Sequence, residues 1–354
     1  MKAPIQKILF GSPGTGKSHK IDNEIIPDKL GINVNETPEN IIKTVFHPEY
    51  TYGDFVGKLM PITRSRKVEY NFYEGHFLRA LSQAYKNIIK AYDKQGNLID
   101  DFEIENVVLI IDELNRGNSS AIFGSIFQLL DRDDDGWSSY YISIDEIAFI
   151  KILELIGVEF SYDSHGKVDK YELKPHNSVQ LKTFQEKLSF LNFDLINKTI
   201  KIPPNLSIIA TMNTSDSSIY YMDSAFKRRW SWEFIDIDSK SVYSEGIAFD
   251  NRDKWMSFVS NLNYFIKSNH KSIRGIEDKQ VGYFFIKDDK VNKSCIQNKL
   301  MFFLWDSVFS RDKKPLINLL YGENTKYHNE LITFGDFAKQ VDNFIDKINN
   351  TIDV

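Results

Sequence analysis

Residues Gly11-Ser12-Pro13-Gly14-Thr15-Gly16-Lys17-Ser18 set three glycines, a lysine and a hydroxyl in the spacing of a phosphate-binding loop. Glycines let backbone N–H groups close around phosphate oxygens, and the helix that follows turns its positive end toward the same anions. In such a loop Lys17 reaches the β and γ phosphates and Ser18 ligates Mg²⁺. These residue types predict that the chain binds a nucleoside triphosphate, with Mg²⁺ as its companion ion.

Hydrolysis needs more than a cradle. Asp112-Glu113 ends an aliphatic run, Val107 to Ile111. The first carboxylate suits Mg²⁺ through its water shell, the second a water attacking the γ-phosphate. A third apolar run, Leu206 to Ala210, leads into Thr211-Met212-Asn213-Thr214-Ser215-Asp216. A polar residue at the carboxyl end of a parallel strand faces the ligand crevice, so Asn213 is a candidate for orienting that water. The alternative is a turn in which Asn213 or Asp216 caps the next helix. Lys227, Arg228 and Arg229 crowd one short segment after Asp223. They read either as a solvated basic turn or phosphate-backbone patch, or as an arginine finger supplied to a neighbouring subunit.

Positioning these groups takes an α/β fold. Ile5 to Phe10, Val107 to Ile111 and Leu206 to Ala210 read as buried strands of a parallel sheet flanked by helices. With 354 residues, 42% hydrophobic and 14% aromatic, the chain is long enough for about two domains with sizeable cores. Charge is spread along the chain, 44 Lys and Arg against 49 Asp and Glu for a net of −5. That argues against a dedicated duplex-binding domain, which needs clustered positive charge, but leaves DNA in the pore of an oligomer open. One cysteine, Cys295, excludes an intrachain disulfide and suits a reducing cytosol. Met1 to Phe10 only superficially resembles a signal peptide, since Lys7 interrupts it and cleavage nearby would destroy the loop. No apolar run approaches the ~18 residues that span a membrane. The expectation is a soluble, cytoplasmic protein.

The four segments, in this order, resemble an AAA+ ring ATPase module, a P-loop NTPase fold. Further strings narrow the resemblance to the McrB family, GTPase motors of modification-dependent restriction systems. Phe46-His47-Pro48-Glu49-Tyr50-Thr51-Tyr52-Gly53-Asp54-Phe55 is similar to the family's Phe-His-x-x-Tyr-x-Tyr-x-Asp-Phe segment, and Leu59-Met60-Pro61 closes it in the same way. Ile110 to Asn118 with Ile122-Phe123-Gly124 resembles the family's acidic motif. Met212 to Asp216 is similar to its Met-Asn-Thr-x-Asp signature, and Asp223 to Trp230 to its Asp-x-Ala-Leu-Arg-Arg-Arg-Phe segment. Leu262-Asn263 and Val281-Gly282-Tyr283-Phe284-Phe285 are similar to its lid.

The resemblance implies a homo-oligomeric, hexameric ring with GTP (or ATP) and Mg²⁺ as cofactors, recruiting an McrC-like nuclease subunit to modified DNA. It implies that Gly11 to Ser18 bind the phosphates, Ser18 and Asp112 the metal, that Glu113 serves the water, that Asn213 is the catalytic asparagine, and that Arg228 and Arg229 are the paired arginines of the finger region. Three features depart from the family. Ser217-Ser218 stand where it reads Arg-Ser. Ten residues precede the loop, so modification sensing is expected from another subunit or not at all. The purine-wrapping segment before the loop is very short, which leaves GTP preference an expectation.

Residues 1–238 are expected to form the nucleotide-binding α/β domain and 239–354 a helical lid, the nucleotide lying between them. About 133–201 is expected to be an insertion with a partner or pore surface, because it separates the acidic and asparagine strands by far more than an ordinary connection. It holds an acidic loop, Asp133-Asp134-Asp135-Gly136, a helical stretch from Ile144 to Ile156 and a hairpin tip near Asp163-Ser164-His165-Gly166. The aspartates lack the alternating spacing of a calcium loop and read as solvated. Tyr50, Tyr52 and Phe55 read either as base-stacking pore residues or as packing of a strand end on a helix. Arg116 reads either as a contact to a neighbouring subunit or as a surface ion pair. Two other functions remain beside the restriction motor: a nucleotide-gated DNA clamp that hydrolyses little, and a MoxR-like remodelling ATPase.

Overall fold

The computed structural model describes residues 2–64, 67–93, 97–165, 168–173, 179–213, 220, 222–237, 244–322 and 331–351. Internal contacts divide the chain into two units, Met1–Trp230 and Ser231–Val354.

The strands of the first unit are β1 (Gln6–Gly11), β2 (Ile41–Val45), β3 (Gly57–Arg64), β4 (Lys67–Glu74), β5 (Val107–Asp112), β6 (Ile142–Ser143), β7 (Val158–Tyr162), β8 (Val168–Leu173), β9 (Thr199–Ile200) and β10 (Leu206–Asn213). β1, β10, β5 and β2 lie side by side in that order, all parallel. Ile8 to Phe10, Val107 to Leu109 and Ile208 to Ala210 are fully buried. A strand covered on both faces has no solvent side to alternate with, which is why each reads as an unbroken apolar run.

Helices flank this mixed α/β sheet. After the loop, α1 (Lys17–Lys20) continues as a π-helical stretch, Ile21–Lys29, that contains Pro27; proline has no N–H to give the regular ladder. α2 is one turn, Tyr52–Phe55. α3 (His76–Lys90) buries Phe77, Leu78, Leu81, Ala84, Tyr85 and Ile88, a stripe at three- and four-residue spacing that packs on β2, β5 and β10. α4 (Ser119–Phe123), α5 (Glu146–Leu155), α6 (Leu181–Lys187) and α7 (Ser224–Lys227) complete the unit.

The segment Phe46 to Phe55 is a packing device rather than a stacking surface. Thr51 and Asp54 form a reciprocal capping box that starts α2. Phe46 and Phe55 are fully buried and meet each other and Phe123 edge-on or tilted. Tyr50 is buried too, its hydroxyl accepting from Thr44 Oγ1 at 3.1 Å and lying 2.9 Å from His76 Nδ1. Burial pushes the Tyr50 phenol up to about 12 and the His76 imidazole down. Gly124 sits at φ +52°, and a Cβ there would come within 3.0 Å of the Tyr52 ring, so glycine follows from both backbone and space. The base-stacking alternative for Tyr50 and Phe55 therefore falls.

β6 and β9 pair antiparallel and close the base of the segment between them. Beyond them come α5, which packs on α3, the antiparallel pair β7–β8, and α6. Arg132 anchors this base from inside: its guanidinium donates to the carbonyls of Gly136, Pro203 and Leu206 and to Gln6 Oε1. Burial pulls it down to about 10. In the acidic loop Asp133 accepts from Ser139 Oγ and Asp135 from the Trp137 N–H. Among the described residues no cluster of His, Cys, Asp or Glu could hold a metal by itself. The β3–β4 hairpin has no counterpart in the sequence expectations and leaves Leu59, Met60, Val68, Tyr70 and Tyr73 exposed.

The second unit contains β11 (Ser231–Phe234), β12 (Ile247–Phe249), α8 (Arg252–Ser268), β13 (Val291–Asn292), α9 (Lys293–Cys295), α10 (Lys314–Tyr321), α11 (Phe334–Ala338) and α12 (Val341–Asn349). α12 packs on α8 and α10. Asn263 of α8 binds Val281 reciprocally, its amide donating to the Val281 carbonyl at 2.7 Å and its oxygen accepting the Val281 N–H at 2.8 Å. The strings Leu262-Asn263 and Val281 to Phe285 are thus two halves of one joint. Burial raises the Cys295 thiol, as befits a thiol with a packing role. Among the described residues no helix is long and apolar enough to cross a membrane.

Candidate nucleotide site

The site grows from strand register. β10 lies between β1 and β5, and Gly11 at the end of β1 is the Cα partner of Asn213 at the end of β10. On the other side Ala210 pairs with Ile111, one residue before Asp112. The phosphate loop, the asparagine and the acidic pair therefore emerge at the carboxyl ends of three adjacent strands.

The loop is folded as its composition demands. Gly14 and Gly16 have φ of +79° and +84°, a region costly for any residue with a Cβ, and a Cβ on Gly14 would meet nothing within 4 Å. The open space above Gly14 is what a phosphate cradle requires. Lys17 folds back inside the loop, its Nζ donating to Gly11 O at 3.1 Å and Ser12 O at 2.8 Å, while the Thr15 hydroxyl donates to Ser12 O. Pro13 and Ser18 are exposed.

Opposite them the acidic pair is held by β10. Glu113 adopts a left-handed conformation, φ 56° and ψ 45°, where a 3-10 turn begins, and its carbonyl accepts the Arg116 N–H at 2.9 Å. The Asn213 amide donates to both oxygens of the Glu113 carboxylate, at 2.9 Å and 3.2 Å. Thr211 Oγ1 donates to Asp112 Oδ1 at 2.9 Å. Asn115, 2% exposed, donates to the Asn213 carbonyl at 3.1 Å. The sequence reading missed Thr211 and Asn115, each two residues from a position it chose; Thr211 stands out as polar in a largely apolar strand.

The basic segment splits in two. Arg229 is committed within its own unit: Nε and Nη2 lie 2.9 Å and 2.7 Å from Asp131 Oδ2, Nη1 donates to Ala225 O at 2.8 Å, and the guanidinium lies over the Phe127 ring. Arg228 is exposed and has no partner among the described residues. Asp223 caps the turn by accepting the Phe226 N–H at 2.7 Å and joins it to α4 through Ser120. Arg116 is exposed and forms no ion pair among the described residues. Residues 214–219, including Asp216, Ser217 and Ser218, lie outside the described residues.

Two proteins are similar to this chain. One, named a component of the type II restriction enzyme BsuMI, YdiS, from Bacillus subtilis (strain 168), is 28% identical over 366 residues, covering 96% of this chain and 88% of that protein. The other, named the type IV methyl-directed restriction enzyme EcoKMcrB subunit, from Escherichia coli (strain K12), is 25% identical over 235 residues, 65% of this chain and 35% of that subunit. Both are named as parts of restriction enzymes. No family model matches it. The similarity to the Bacillus component runs through both units of the chain.

Ser18 and Asp112 offer a hydroxyl and a carboxylate oxygen, hard donors of the kind that hold Mg²⁺ by one or two protein contacts with phosphate and water completing the shell. The residues present fit a magnesium nucleotide.

Proposed function

We propose that this chain is an NTP-hydrolysing AAA+ motor subunit of an McrBC-like restriction system, with GTP preferred and ATP the alternative. The observation that carries the reading is the convergence of the phosphate loop, Asp112-Glu113 and Asn213 on adjacent strand ends, with the asparagine amide on the glutamate carboxylate. The names of both relatives, components of restriction enzymes, support the wider system. In this reading residues 1–238 are the nucleotide-binding domain and 239–354 its helical lid.

The loop N–H groups and Lys17 would hold the phosphates. Ser18 and Asp112 would hold Mg²⁺, which neutralises charge on the phosphate oxygens. Glu113 would take the proton of the attacking water as its oxygen bonds to the γ-phosphorus and the bond to the bridging oxygen breaks, leaving diphosphate nucleotide and inorganic phosphate. Asn213 would orient that water and the Glu113 carboxylate together. Arg228, exposed and unengaged among the described residues, would serve a neighbouring subunit in a hexameric ring, while Arg229 shapes the turn that presents it. The assembly, with an McrC-like nuclease subunit, would act on DNA as a cytoplasmic antiviral defence.

Phosphate release measured with GTP and with ATP across a protein concentration series tests this. Turnover per subunit that rises with concentration and favours GTP is expected. Strict ATP use would move the protein toward MoxR-like remodelling, and binding without turnover, even with the nuclease subunit added, toward the nucleotide-gated clamp.

A further inference from the structure

Thr211 stands two residues before Asn213 on β10, so both side chains leave the same face of the sheet. It is 5% exposed. A buried hydroxyl must find hydrogen-bond partners, and this one has two: it donates to Asp112 Oδ1 at 2.9 Å and accepts the Glu113 N–H at 3.3 Å. A threonine in a strand is ordinary; a threonine whose hydroxyl bridges the two halves of an acidic pair on the next strand is not.

The hydroxyl has a single proton. With the Glu113 N–H on its lone pair, that proton is directed at Asp112. Among the described residues no other protein donor reaches the Asp112 carboxylate. One oxygen is therefore engaged by Thr211 and Oδ2 is left over. The second contact falls on Glu113, whose left-handed backbone is costly for a residue with a Cβ and needs outside restraint. Restraint comes from three directions: Thr211 on its N–H, Arg116 on its carbonyl and Asn213 on its carboxylate.

We propose that Thr211 is a positioning residue for the magnesium nucleotide: its hydroxyl holds the Asp112 carboxylate in one orientation, leaving Oδ2 for the metal's water, and pins Glu113 where Asn213 grips it. The inference rests on the site being one of triphosphate hydrolysis. Thr211→Val keeps the shape and removes the hydroxyl; Thr211→Ser restores it. Both would be made in the full chain, with Glu113→Gln as the control.

The half-saturating Mg²⁺ concentration for phosphate release would be measured, together with the affinity for a fluorescent GTP analogue in Mg²⁺ and in EDTA. Thr211→Val is expected to raise the Mg²⁺ requirement on the order of tenfold, the scale of one lost hydrogen bond to a charged group, while affinity in EDTA is unchanged. Thr211→Ser is expected to match the unaltered protein. A normal Mg²⁺ response in Thr211→Val, or a serine variant as impaired as the valine one, would overturn the inference while loss of turnover in Glu113→Gln still upheld the site. Failure of the unaltered protein to bind the analogue at all would sink the site, and the inference with it.

Discussion

Arg228 and Arg229 are neighbours in sequence, and their replacement should separate stability from turnover. Arg229 is 8% exposed in its side chain and reaches Asp131 Oδ2 with two nitrogens, at 2.9 Å and 2.7 Å. It also donates to Ala225 O and lies 4.2 Å from the Phe127 ring centroid. Breaking a buried pair by removing one partner costs about 3–5 kcal/mol. Asp131 is 25% exposed and can regain water, which places Arg229→Ala near the lower end, about 3 kcal/mol. For a unit of this size that is a fall in Tm of roughly 6–12 °C. Arg228→Ala removes an exposed side chain and should move stability by no more than about 0.5 kcal/mol. As a finger acting in trans, its loss should cut turnover by about 10³-fold or more. Thermal melting of both variants, followed by hydrolysis in mixtures of Arg228→Ala with Lys17→Ala subunits, reads the two effects apart. The mixture should recover activity, since each variant supplies what the other lacks. An Arg229→Ala protein that melts with the unaltered one, or an Arg228→Ala protein that hydrolyses normally, would refute the division.

Further outcomes follow from particular contacts. Arg132→Met should destabilise the first unit by at least about 3 kcal/mol in urea unfolding, because three buried carbonyls and Gln6 lose their donor together. Gly14→Ala should leave the melting temperature within a few degrees yet weaken binding of a GTP analogue, since the strain of φ +79° falls on the cradle alone. The Lys58 and Thr51 side chains hold the Asp54 carboxyl down to about 2. Its folded pKa lies below the unfolded one, so its stabilisation is present above about pH 4 and lost as pH falls toward 2. Because Asp54 and Lys58 are partly solvated, the contribution is under about 1 kcal/mol, and Asp54→Asn should flatten the drop in urea midpoint between about pH 4 and pH 2.

The parallel sheet was legible because its strands are covered on both faces and so carry aliphatic runs with no alternation. The candidate site residues could be picked out because phosphate, metal and water each demand particular residue types, and three of the chosen groups do lie on adjacent strand ends. What chain order does not carry is spatial order. Nothing in the sequence states that β10 lies between β1 and β5, and that placement is what sets Asn213 beside Gly11 and Thr211 beside Asp112. The different surroundings of Arg228 and Arg229 were hidden for a similar reason, since Asp131 and Phe127 approach Arg229 from a segment about 100 residues away. The β3–β4 hairpin escaped because much of its apolar surface is exposed, so its pattern lacks the in-and-out contrast by which strands are read. The π-helical turn after α1 is foreshadowed only by Pro27.

The central claim is that Glu113, gripped by Asn213 across two strands, activates water for triphosphate hydrolysis. Its most direct test is single-turnover phosphate release from GTP by the assembled protein, comparing Glu113→Gln with the unaltered chain while analogue binding is followed in parallel. The account predicts unchanged binding and a loss of release on the order of 10²-fold or more, the usual contribution of a positioned general base. Equal release from the two proteins, with binding intact in both, would contradict it.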